Sequence, residues 1–147
     1  MSKYASVYFS PSRDTTDNVI GFINRCEHTI DAAVYSITHY EIAKAIIAAH
    51  NRGVKIRLLV DKVQASSKYA RDEELILAGV DLVRDTLTGL MHHKYIIGDG
   101  NAVGTGSFNW TVGAEEKNQE NFVILRLKYV VEDFQENFNQ LWLKNIE

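Results

Sequence analysis

The chain has 147 residues, 46% of them apolar, and a formal net charge of −3. That size and apolar content fit one domain, residues 1–147, with an ordinary core, and they exclude a disordered chain. The single cysteine, Cys26, excludes an intrachain disulfide and a Cys-rich metal site. No apolar run approaches the roughly 18 residues of a membrane span, so no stable membrane insertion is expected.

The amino-terminal Met1-Ser2-Lys3-Tyr4 has no leader-like apolar stretch. As written the chain reads as cytoplasmic, and a secreted or periplasmic location stays open if a leader has been removed. The charge is uneven. From Lys44 to Arg71 there are seven bases (Lys44, Arg52, Lys55, Arg57, Lys62, Lys68, Arg71) against one acid, Asp61. Such a run can offer a basic rim to a phosphate backbone, or it can be a solvated helix face.

In chain order, Tyr4 to Ser10 is rich in β-formers and predicts a strand. After the turn Pro11-Ser12-Arg13-Asp14, either Asp14 or Thr15 can cap a helix to about Glu27, with Val19, Ile20, Phe22, Ile23 and Cys26 inward. Thr29–Ile37 predicts a strand buried on both faces. Tyr40–Asn51 has helical spacing and ends at Gly53. Val54–Val60 predicts a strand with Asp61 at its end, then a helix from Ser66 or Ser67 to Gly79, then a short strand Val80–Val83. His92–Ile97 and Ala102–Gly104 predict a hairpin joined at Gly98-Asp99-Gly100-Asn101. A strand Phe122–Arg126 and an amphipathic helix Tyr129–Leu143 close the chain. The order implies an α/β class, with a mixed sheet flanked by helices on both faces.

The informative spacing is His92-x-Lys94, four residues, Asp99, six residues, Gly106-Ser107-x-Asn109, with Glu120 further on. Side chains alternate along a strand, so His92 and Lys94 share a face and His93 does not. If the segment stays extended, Ser107 and Asn109 also share one. An imidazole, an ammonium, a hydroxyl and a carboxamide aimed at one point suit a phosphate: Lys94 neutralises oxygens, Ser107 and Asn109 donate hydrogen bonds, and His92 meets phosphorus. Glu120 can accept from the other nitrogen of His92 and fix its tautomer. His93 is expected in the core or behind the site. Trp110, Phe138 and Trp142 are expected in packing. His28, His39 and His50 lack metal-ligand spacing and are expected at the surface or in caps.

These residues resemble the phospholipase D superfamily motif. Trp110-Thr111, Phe9-Ser10-Pro11 and Asn118-Gln119-Glu120-Asn121 are similar to its bacterial single-motif nuclease branch. The resemblance implies an α/β/α sandwich and a phosphodiesterase that needs no cofactor or metal. It also implies that one motif per chain is half a site, completed by a homodimer. One His92 attacks phosphorus, and the other protonates the leaving oxygen and then activates water. Asp99 and Gly106 are structural in that motif. The leading expectation is an endonuclease with little sequence preference acting on DNA, with RNA left open as the alternative substrate. Two alternatives remain open: a lipid phosphodiesterase, and a non-catalytic nucleic-acid-binding module of the same fold.

Overall fold

The computed structural model describes residues 4–147; Met1-Ser2-Lys3, read above for leader character, lies outside the described residues. Seven strands form one mixed sheet among these residues: β1 (Ala5–Ser10), β2 (Thr29–Val34), β3 (Lys55–Asp61), β4 (Asp81–Asp85), β5 (Lys94–Gly98), β6 (Ala102–Gly106) and β7 (Glu120–Leu125). Their spatial order is β1-β7-β6-β5-β2-β3-β4. Strands β2, β3 and β4 run parallel, and the remaining pairings are antiparallel.

The helices are α1 (Arg13–Arg25), α2 (Tyr40–Asn51), α3 (Lys62–Ala65), α4 (Asp72–Leu77), α5 (Val112–Glu116) and α6 (Lys128–Ile146). The pleat divides the core in two. Ala32, Val34 and Ile96 face a cluster with Phe22 and Ile23 of α1, Ile42 and Ile46 of α2, and Leu75 of α4. Ala33, Tyr95 and Ile97, one residue out of phase, face Val131, Phe138 and Trp142 of α6. This is the expected sandwich. No helix of the described residues is long and apolar enough to cross a membrane.

Several boundaries differ from the sequence reading. Helix α1 starts earlier because Ser12, not Asp14 or Thr15, is its cap: Ser12 Oγ accepts from the Asp14 N–H at 3.0 Å. Cys26, expected to face inward on that helix, is buried just after it, and burial pushes its thiol up to about 12, so it is an inert packing group. Strand β2 stops at Val34, and Ile37 instead bridges to Trp110.

The single helix expected from Ser66 or Ser67 to Gly79 is broken into α3 and α4. Asp61 Oδ2 caps α3 by accepting from the N–H groups of Val63 and Gln64, and the chain restarts where the Arg71 N–H reaches Ile37 O at 3.0 Å. Helix α5, in a stretch that the pattern leaves unassigned, is capped by Thr111, whose Oγ1 accepts from the Ala114 N–H at 3.0 Å.

The hairpin turn is as expected. Asp99 and Gly100 have φ of 52° and 66°, the two successive positive values of a type I′ turn. Asp99 is held there because its carboxylate accepts from the backbone N–H groups of Glu27, His28 and Thr29. Burial pushes this carboxyl up, but the three donors together outweigh that and hold it below its usual range.

The basic run does not form one rim. Arg52 donates to the carbonyls of Ile23 and Cys26 at the end of α1. Arg57 pairs with Asp31 at 2.8 Å and lies over the Phe138 and Trp142 rings. Arg71 donates to Thr38 O and Glu74. Arg52 and the lysines of the run stay exposed, the lysines scattered over α2, β3, α3 and the segment after it.

Candidate active site

The site lies at the edge of the sheet where β2 and β3 end and β5 and β7 begin. Strand β5 starts at Lys94, so His92 precedes it rather than lying on it, contrary to the expected strand His92–Ile97. The two residues meet nonetheless. Lys94 Nζ is 2.9 Å from His92 Nδ1 and 2.5 Å from His92 O. An ammonium can only donate, so in this contact Nδ1 accepts and the ring N–H is the one on Nε2. Burial lowers the Lys94 ammonium from its usual value, and the negative charge of Glu120 works against that shift. His92 is exposed.

The segment feeding His92 is fixed from the side. The Met91 N–H donates to Asp61 Oδ1 at 3.0 Å, and Asp61 is 1% exposed. One buried carboxylate therefore ends β3, caps α3 and anchors the residue before His92. The Tyr35 N–H donates to His93 O at 2.8 Å.

The Gly106-Ser107-x-Asn109 stretch does not stay extended, contrary to the condition set above, because β6 ends at Gly106. Gly106 has φ of 150°, and a Cβ there would lie 2.2 Å from Asn121 O, so only glycine fits. The turn brings Ser107 against β7: its N–H donates to Asn121 O, and its Oγ accepts from the Asn121 N–H, both at 3.1 Å. Asn109 is oriented from the segment that follows β2. Its Oδ1 accepts from the Ser36 N–H at 3.3 Å, which leaves the Nδ2 amide as the free donor. Trp110, only 2% exposed, locks this loop: its N–H donates to Ser36 O, and its carbonyl accepts from Thr38 and His39.

His92, Lys94, Ser107, Asn109 and Glu120 line one open cavity of about 730 Å³. Glu120, the first residue of β7, accepts from Asn118 Nδ2 at 3.1 Å; among the described residues it makes no hydrogen bond to His92 within the chain. His93 also lines the cavity and is exposed, so of the two expected places, the core or behind the site, the core is ruled out. One edge of its ring packs on Tyr95, with centroids 5.2 Å apart. Partial burial, then Lys94 and His92, hold it below its ordinary range.

Asp99 does not join this cavity. It lies at the far end of β5, beside a second hollow of about 520 Å³. Among the described residues no three His, Cys, Asp or Glu side chains are grouped to hold a metal ion.

Two participants were not in the sequence reading. The Tyr35 ring lies 4.6 Å from the His92 ring and 5.1 Å from Lys94 Nζ, and Gln64 Nε2 donates to its hydroxyl at 3.1 Å. Their contacts are non-local, and no spacing in the chain signals them.

This fold, with its His-x-Lys and Gly-Ser-x-Asn turns at one sheet edge, defines a phospholipase D-like domain. The chain belongs to that family: residues 19–142 match the family described as "Cardiolipin synthase, PLD-like domain". Among solved structures it is similar to a phospholipase D family member, Nuc from Salmonella typhimurium, with a TM-score of 0.89 and 32% identity, covering 94% of this chain and 93% of that one. It is 35% identical to a phospholipase D of Rickettsia prowazekii over 90% of this chain and 65% of that protein. It is 34% identical to a mitochondrial cardiolipin hydrolase of Xenopus tropicalis over 80% of this chain and 56% of that protein. The chain thus spans between about half and two thirds of these two relatives.

Proposed function

We propose that residues 1–147 act as a single domain, a metal-independent phosphodiesterase whose complete site is shared by two copies of the chain, and that its substrate is nucleic acid. One observation carries the reading: a lysine ammonium seated on a histidine ring, in a cavity that also receives Ser107, Asn109 and Glu120.

The chemistry follows from these groups. An entering phosphodiester competes for Lys94, whose charge moves from His92 to the phosphate oxygens. That frees Nδ1 to take the ring proton through solvent and leaves a lone pair on Nε2. The Nε2–P bond forms as the P–O bond to the leaving group breaks. His92 of the partner subunit gives its proton to the departing oxygen. It then takes a proton from water as that water attacks phosphorus and the N–P bond breaks. The Asn109 amide and the two lysines stabilise the charge gathered on the phosphate oxygens.

One feature supports nucleic acid over lipid: the chain matches Nuc over nearly its whole length, and the proteins named phospholipase D and cardiolipin hydrolase only in part. Those two names favour the lipid reading.

The test combines solution mass with cleavage of a DNA oligonucleotide in EDTA. The expected result is twice the 16.7 kDa of one chain and undiminished cleavage. Activity lost in EDTA and restored by Mg2+ would refute the mechanism. Head-group release from liposomes, with oligonucleotides untouched, would establish the lipid reading instead.

A further inference from the structure

We propose that Tyr35 is a positioning residue for this reaction, its ring being the fixed face against which the His92 imidazole and the Lys94 ammonium are both set. The inference rests on the phosphodiesterase reading above. Tyr35 follows directly on β2, and its main chain is tied to the motif because its N–H donates to His93 O at 2.8 Å. The ring is thereby delivered beside both groups. Its centroid is 4.6 Å from that of His92, with the planes tilted by 55°, and 5.1 Å from Lys94 Nζ.

The two contacts have different consequences. His92 is exposed and precedes the strand, so neither burial nor a sheet ladder restrains its ring; the Tyr35 ring and Lys94 do. Lys94 is a flexible four-carbon chain whose charge must be kept near phosphorus yet remain free to shift. A cation over a tyrosine face is attracted without being bonded to a single atom, which keeps it close along several positions. The phenol is itself held by Gln64 Nε2 at 3.1 Å, from helix α3. Asp61 caps that helix and also holds Met91, so ring, histidine and lysine are all referenced to the end of β3.

Tyr35 makes no proton transfer in this scheme. Its removal should lower kcat, because a misplacement of the nucleophile by about 1 Å costs on the order of 100-fold.

The experiment compares Tyr35→Leu, Tyr35→Phe and Gln64→Ala on bis(p-nitrophenyl) phosphate, with melting temperature and the imidazole 15N shifts of His92 recorded for each. The expected result for Tyr35→Leu is a fall in kcat of about 10- to 100-fold, changed His92 shifts and a nearly unchanged melting point. Tyr35→Phe keeps the ring and should recover most of the rate. Gln64→Ala should match Tyr35→Phe, since both remove the same hydrogen bond. Equal losses in the Phe and Leu variants would overturn the role of the ring, as would a Tyr35→Leu rate equal to wild type. If wild type does not turn over the phosphodiester, the reading of activity fails separately, and the 15N shifts still decide. Unchanged His92 signals in Tyr35→Leu would then overturn the positioning claim.

Discussion

Replacing His92 with alanine should lower turnover by about 10^4-fold or more, the scale seen when a nucleophile is removed from a concerted site. The fold should not register the change. His92 is exposed, and its ring contacts are with Lys94 and Tyr35 at the cavity, so a stability change within about 0.5 kcal/mol is expected. Lys94 remains, so the variant should still bind inorganic phosphate. His93→Ala is the internal control. That ring packs on Tyr95 and makes no hydrogen bond to Lys94, so most of the rate should survive. Steady-state rates of both variants on an oligonucleotide decide between them; a silent His92→Ala with a dead His93→Ala would reverse the assignment.

Asp61→Ala should be the most damaging single change to the fold near the site. The residue is only 1% exposed, and its carboxylate accepts from Val63, Gln64 and Met91 at 3.1, 3.2 and 3.0 Å. Its loss strands donors at the start of α3 and in the residue before His92, at a cost of about 3 kcal/mol. For a chain of this size that is a fall in melting temperature of roughly 6–12 °C. Asp61→Asn keeps one oxygen acceptor and should lose less. Thermal unfolding of the two variants checks this, and a melting point for Asp61→Ala within about 1 °C of wild type would show that these bonds contribute little.

Legibility in the sequence followed the range of the interaction. The Gly98–Asn101 turn was readable because its backbone values are demanded by two adjacent residues, Asp99 and Gly100. Helix α2 was readable from its own apolar spacing and matches residue for residue. His92 and Lys94 came together although the parity argument assumed a strand that starts two residues too early. Lys94 reaches back to the ring and carbonyl of His92 rather than standing beside them on a pleat.

The misreadings concern groups whose partners are distant in the chain. The break between α3 and α4 depends on Asp61 and on the bond from Arg71 to Ile37, neither of which has a local pattern. Arg52, Arg57 and Arg71 looked like a surface run, but each has its partner on another element. Ser107 and Asn109 reached the cavity by a turn that Gly106 alone permits against Asn121, not by strand alternation. Tyr35 stood in an apolar strand pattern that read as packing.

The central claim is that one catalytic centre takes a His92 from each of two chains, and subunit mixing tests it most directly. Wild type and His92→Ala chains would be unfolded together in equal amounts, refolded to allow random pairing, and assayed on an oligonucleotide. If both histidines serve one centre, only wild-type pairs turn over, and activity should fall to about one quarter of that of the same total amount of wild type. Activity at one half of that level would mean that each chain works alone, and would contradict the shared site.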